Sequence, residues 1–208
     1  MLLKELTVTD FAAILGSAEP APGGGSASAV AGTLGISLTK MVTELTMGKK
    51  KYAEHQELME KIHEQANRLQ ESFLAAIDED TEAFNQVSAV FAMPKDTVEE
   101  KAVRAAALQR ALQGAAASPM KMMELAVASL NTRKEVVGKS NINAASDLGV
   151  AALNLKSALQ GAWLNVLINL SGIKDPSFVA EYQEKGQKLV DQGIQLADAI
   201  YSEIEKLI

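Results

Sequence analysis

Hydrophobic positions along this chain recur at steps of three and four, the spacing that puts side chains on one face of an α-helix. The clearest stripe runs through Leu58, Ile62, Leu69, Phe73, Ile77, Phe84, Val87 and Phe91. It predicts a long helix from about Tyr52 to Ala92 with that face buried, ending ahead of Pro94. A short helix carrying Phe11, Ile14 and Leu15 is capped by Thr7-Val8-Thr9-Asp10 and ended by Gly16, and reads as a lid or clasp. A second helix, rich in small residues, extends from about Ser26 to Met47 and stops at Gly48. Asp96-Thr97 caps a fourth, in which Pro119 predicts a break or kink. A polar turn from Gly138 to Asp147 opens the most apolar helix, and Asp175-Pro176 starts an amphipathic one running to Ile208. These elements predict an all-α, single-domain bundle of about five to six helices over residues 1–208, with strands unlikely.

Composition narrows the function classes. The net charge of −6 argues against nucleic acid or an acidic membrane surface as the principal partner. With no cysteine, the chain has no disulfide, thiol nucleophile or thiolate metal site, and two histidines make a zinc hydrolase improbable. The N-terminus shows no basic stretch followed by an apolar one, so a cytoplasmic protein is expected. Val150 to Leu170 is apolar enough to raise a membrane question, but Lys156, Gln160 and three asparagines make it a buried core helix instead.

Three stretches carry candidate chemistry. In Pro20-Ala21-Pro22-Gly23-Gly24-Gly25-Ser26, three glycines release the φ restriction of the prolines and aim backbone N–H groups at an anion or polarised carbonyl. Gly24, Ser28 and Gly32 then leave one helix face open to a close neighbour. Asp80 occupies the apolar stripe between Ile77 and Phe84, where an unpaired carboxylate is costly, whereas Asp78, Glu79 and Glu82 lie off the seam and can be solvated. On the fifth helix Asn143, Asp147, Asn154, Asn165 and Asn169 share one side with Ala151, Ala158 and Gly161, a stripe suited to a polar heterocycle. Each stretch has a plainer reading as turn, cap or interhelix hydrogen bonding, and Lys49-Lys50-Lys51 is either a dipole-compensating cluster or a counter-charge for carboxylates.

The glycine run, Gly48-Lys49-Lys50-Lys51-Tyr52, Asp80-Thr81-Glu82-Ala83-Phe84, the stretch Asn141 to Ala152 and Asn165-Val166-Leu167-Ile168-Asn169-Leu170, in this order, resemble the formiminotetrahydrofolate cyclodeaminase and methenyltetrahydrofolate cyclohydrolase family. Ser140 and Leu167 depart from the pattern, standing where many members carry glycine and arginine. The resemblance implies an all-helical homodimer acting on the one-carbon unit between N5 and N10 of tetrahydrofolate. The folate is substrate, and neither a redox cofactor nor a metal is called for. The first reading is the cyclodeaminase, in which N10 attacks the formimino carbon, ammonia leaves and 5,10-methenyltetrahydrofolate forms; the alternative is the cyclohydrolase, in which water attacks the methenyl carbon. A cyclodeaminase of this length needs a separate formiminotransferase for its substrate.

The resemblance makes Asp80 and Asp147 catalytic candidates, Asp80 as acid and Asp147 as base or cation stabiliser, with the two roles exchangeable. Gly23, Gly24, Gly25 and Ser26 are substrate-binding candidates at the turn, Lys49 and Lys50 for the glutamate tail. Asn143, Ser146, Asn154 and Asn165 complete the set along the fifth helix. A non-enzymatic helical module, whose polar stripe only specifies dimer packing, is the contrasting class.

Overall fold

The computed structural model describes residues 2–208, which form six α-helices joined by short connections, with no strand among the described residues. The helices are α1 (Val8–Leu15), α2 (Gly24–Glu44), α3 (Gln56–Phe91), α4 (Val98–Lys134), α5 (Ala145–Leu170) and α6 (Pro176–Leu207). Short 3₁₀ turns at Leu3–Glu5, Lys50–His55 and Ile142–Ala144 lead into α1, α3 and α5. No helix among the described residues is long and apolar enough to cross a membrane.

The caps form where the sequence puts them. The Thr7 hydroxyl accepts from Asp10 N–H, Thr97 and Glu100 make a reciprocal capping box, and the Asp175 carboxylate accepts from Ser177 and Phe178 N–H ahead of Pro176. α2 packs between α3 and α5, while α4 packs against α3, α5 and α6. The core between them is built from Ile36, Phe73, Met122, Met123, Leu155 and Leu159, with alanines letting the helices close up. Leu3 and Phe11 rest on that core, and Leu3 N–H donates to Asp78 Oδ1 at 2.6 Å, so the N-terminal segment clasps α3.

Four expectations change. α2 starts two residues early, with Gly24 and Gly25 inside its first turn and Gly23 extended at φ −126°. Gly25 therefore serves close approach rather than backbone freedom; among the glycines only Gly48 and Gly138 have positive φ. Gly24 and Ser28 do face α5, but Gly32 faces Phe73 on α3, because four-residue steps drift around a 3.6-residue helix until Gly35 takes over the α5 face. Asp78 is not solvated: its Oδ2 is buried without a hydrogen-bond partner.

Pro119, the third change, does not break α4, which runs through it as one 37-residue helix. A proline at 119 deprives the Ala115 carbonyl of its helical N–H, and Asn169 Nδ2 on α5 supplies the missing donor at 3.0 Å. The fourth concerns α3. Ile62, Phe73 and Ile77 are buried as the stripe predicts, but Phe84 is 41% and Phe91 62% exposed. α2 begins opposite Asp80, so α3 and α4 project beyond it as a bare hairpin.

Arg133 ties three helices together at 0% exposure. Its guanidinium donates to Leu148 O on α5 at 2.6 Å, to Gly35 O on α2 at 3.0 Å and to the Thr39 hydroxyl. Burial pushes the group down to about 9, still charged at neutral pH.

The α2/α5 pair leaves a long apolar face open. Leu34 and Met41 on α2, Leu45 at its C-cap, and Val150, Leu153, Leu164, Leu167 and Ile168 on α5 are exposed, Leu164 at 66% and Ile168 at 70%. Measured around each axis from the contact with the other helix, both sets turn to the same side.

Candidate active site

The N-terminus of α2 abuts α3 so closely that a Cβ at Gly25 would overlap the Asp80 carboxylate. Glycine is therefore the residue that admits an acid at this point. Asp80 shares a cavity of about 270 Å³ with Gly23, Gly24 and Gly25 on one side and Asn165 and Asn169 on the other. Phe84, Val87 and Ile168 form its apolar lip, and Ala115 its floor.

Burial is the main influence on Asp80 and raises its carboxyl above the ordinary aspartate range; hydrogen bonds from the Ser26 side chain and backbone N–H pull it partway back. No other titratable side chain lines the cavity. The site thus presents an acid held toward its protonated form, two amides and a helix N-terminus. That arrangement can protonate a departing nitrogen while amides orient a polar ring.

Ser26 does not line the cavity. At 0% exposure, its hydroxyl lies 2.9 Å from Ile77 O, 3.2 Å from Thr81 Oγ1 and 3.4 Å from Asp80 Oδ2, behind the residues that do. On α5 the asparagine stripe does not form one site. Asn165 and Asn169 reach the cavity, whereas Asn154 donates to Val150 O within its own helix, part-way along the α2 contact.

Asn143, Ser146 and Asp147 lie at the opposite end of α5, ~27 Å from Asn165 at 1.5 Å per residue over 18 residues. Lys49 and Lys50 stand there too, exposed beyond the C-terminus of α2. Tyr52 Oη accepts from Ile142 N–H at 3.1 Å, and Lys51, Tyr52, Ser140 and Asn141 border a small pocket beside α6. Within this chain the two aspartates are therefore not a pair. The cavity also uses Asn169, Thr81, Phe84 and Ile168, which were not among the candidate site residues; Asn169, four residues after Asn165, was legible from the stripe, and Thr81 from its place beside Asp80. No group of acidic or histidine side chains able to hold a metal occurs among the described residues.

Comparison with known proteins gives this fold and cavity a family. The profile described as Formiminotransferase-cyclodeaminase matches residues 7–188. A methenyltetrahydrofolate cyclohydrolase of Methylorubrum extorquens is 35% identical over 202 residues, covering 97% of each chain. A formimidoyltransferase-cyclodeaminase of Sus scrofa is 31% identical over 195 residues, which is 94% of this chain but 36% of that longer protein. The crystal structure of a formiminotetrahydrofolate cyclodeaminase from Thermotoga maritima superposes with a TM-score of 0.83 at 27% identity, covering 99% of this chain and 96% of that one. The chain belongs to the formiminotransferase-cyclodeaminase family, a family of folate one-carbon enzymes.

Proposed function

We propose that the protein acts on the one-carbon unit bridging N5 and N10 of tetrahydrofolate, hydrolysing 5,10-methenyltetrahydrofolate to the 10-formyl form. Asp80 carries the case for an enzyme over a structural bundle: a carboxyl pressed on glycine backbone with no cation to pair it is costly for a scaffold and useful as an acid. End-to-end similarity to the Methylorubrum extorquens cyclohydrolase favours hydrolysis. Cyclodeamination is the second reading, favoured by the likeness to the Thermotoga maritima protein, and would need a supply of formimino substrate.

Both reactions ask for the same two groups. In hydrolysis, water adds to the methenyl carbon and loses a proton to a base; the resulting hydroxyl then loses its own proton as the bond from that carbon to N5 breaks and N5 takes a proton from an acid, so that one proton is released overall. In cyclodeamination, N10 adds to the formimino carbon and loses a proton, and the departing ammonia takes one. Asp80 is the acid and Asp147 the base, with Asn165 and Asn169 orienting the pterin.

Those two aspartates meet in a homodimer. α2 and α5 are antiparallel, as the pairing of Gly24 with Asn165 and of Gly35 with Ala151 requires. A two-fold axis lying in the plane of their open apolar face, perpendicular to the helices, would therefore bring one protomer's Asp80 end against the partner's Asp147. That face, running the length of both helices, is too large and apolar to be left to water. The complementation test is direct. Asp80→Asn and Asp147→Asn proteins, each inactive, should regain activity when co-expressed, because mixed dimers hold one intact site; no recovery would sink the shared site. Loss of the near-ultraviolet methenyl absorbance, measured beside ammonia release from the formimino substrate, separates the two reactions, and failure to bind either folate would return the bundle reading.

A further inference from the structure

The cavity holding Asp80 is only one of two openings beside that residue. On the opposite face of α3, an open groove runs between α3 and α4 under Leu2 and Leu3, lined by Asp78, Glu82, Asn85 and Ser118. Thr81 borders both the cavity and this groove. Between Thr81 and Asp80 stands the Ser26 hydroxyl, within hydrogen-bond reach of both and shut off from solvent.

We propose that Asp80 exchanges its catalytic proton with solvent through the Ser26 and Thr81 hydroxyls and the rear groove, not through the mouth of the cavity. The inference rests on the reading of Asp80 as the acid. Its geometry is independent of that reading. A folate ring seated between Phe84 and Ile168 closes the mouth during turnover, so an acid spent there needs another route to recover its proton. Ser26 has one proton and three oxygen neighbours, Ile77 O being the nearest at 2.9 Å. With Asp80 protonated, the carboxyl donates to Ser26 Oγ, and Ser26 donates to Ile77 O. Once Asp80 has given its proton to the departing nitrogen, Ser26 turns its O–H to Asp80 Oδ2 and passes the proton on. Ser26 takes the Thr81 proton in exchange, and Thr81 takes one from water or a buffer acid in the groove. One proton enters, both hydroxyls end neutral, and the donor is left as hydroxide or buffer base.

The surroundings suit such a route. α2 brings only hydroxyl and backbone groups to this point, α4 brings Ala115, and α5 brings Asn165 and Asn169, so no second acid or base competes within the cavity. On the outer side of α3, Glu79 is engaged by Lys121 at 2.8 Å, while Asp78 and Glu82 face the groove. The groove is open to solvent along the residues that line it, so water and small buffer acids can reach the Thr81 side of the helix.

The test uses Thr81→Val, near in shape and lacking only the hydroxyl, in the full-length enzyme assayed for methenyltetrahydrofolate hydrolysis. At low buffer concentration kcat should fall about tenfold with KM unchanged, since a proton-shuttling group contributes one to a few orders of magnitude. Imidazolium or phosphate, small acids able to enter the groove, should restore the rate in proportion to their concentration, and Thr81→Ser should restore it without them. Thr81→Ala, read the same way, replaces valine if the branched side chain upsets folding. Wild-type turnover at low buffer, or a loss that neither added acid nor Thr81→Ser recovers, would overturn the route. Asp80→Asn separates the two inferences: if it turns over normally, the acid assignment itself fails, whereas an inactive Asp80→Asn beside a normal Thr81→Val defeats the relay alone.

Discussion

The two ends of the α2/α5 pair use the same kinds of residue, glycine turns, asparagines and one aspartate each, in opposite ways. Where α2 begins, the glycines sit inside the helix and bring backbone against Asp80, and the asparagines face a walled cavity. Where α2 ends, Gly48 turns the chain at φ 74°, Asn141 caps the turn into α5, and the lysines stand in water. The contrast teaches that residue type marks a site only when a neighbouring helix is near enough to enclose it. One end is enclosed by neighbouring helices of the same chain; the other lies open.

Asp80→Asn should have the largest effect and would break the comparison if it did not. Turnover should fall by roughly 10² or more with folate binding retained. Because the folded-state carboxyl is raised, the wild-type rate should fall on the alkaline side as that group ionises, and the variant should lose this limb. The stability sign follows: a raised folded-state value means that Asp80 favours the fold below its unfolded range and that this contribution is lost as pH rises through the folded one. At neutral pH the Asn variant should therefore melt no lower than the parent, and a clear drop in Tm would show the carboxylate to be structurally satisfied.

Gly25→Ala comes next. The added methyl must displace the Asp80 carboxyl or the start of α2, so turnover should drop by about 10² and the melting temperature should fall as well. Alanine at Gly23, where an added Cβ meets nothing within 4 Å, is the matched control and should be mild. Asp147→Asn should also cost roughly 10² in kcat while sparing stability, since its carboxylate is only half-buried in the first turn of α5. A normal Asp147→Asn enzyme would confine catalysis to the glycine end. The smallest effect belongs to the lysines: replacing Lys49, Lys50 and Lys51 by glutamine should raise KM several-fold more for polyglutamylated than for monoglutamylated folate. Equal effects on both substrates would leave the lysines as helix-end charge alone.

Most of the fold was legible because it depends on local signals. Thr7, Thr97 and Asp175 cap helices through bonds to residues two or three positions away, and such spacing is written in the chain. What was not legible depended on how far a neighbour extends. The α3 stripe gives a direction, and Phe84 and Phe91 keep it faithfully, but nothing local says that α2 starts only at Gly24 and leaves them bare. The asparagine stripe misled in the same way, since its members part toward the two ends of α5 and only Asn165 and Asn169 reach the cavity. Ser26 sits in the glycine motif, yet its place behind the cavity lining follows from the pitch of a helix whose first residue the sequence did not fix.

The proline in α4 has a consequence for recognition. Two carbonyls, Ala115 O and Asn165 O, both receive Asn169 Nδ2, which settles the orientation of that amide and leaves its oxygen for whatever enters the cavity. Pro119 touches no ligand, but by withholding one N–H it dictates which hydrogen-bonding face the site displays. A designer who mended the helix with alanine, hoping for the roughly 3 kcal/mol that a helix-interior proline forfeits, would hand Ala115 O back to its own backbone. The amide would then be free to flip, and the cavity could offer a donor where it now offers an acceptor. A helical imperfection on one strut thus works as an instruction to a side chain on another, and stabilising the strut would erase it.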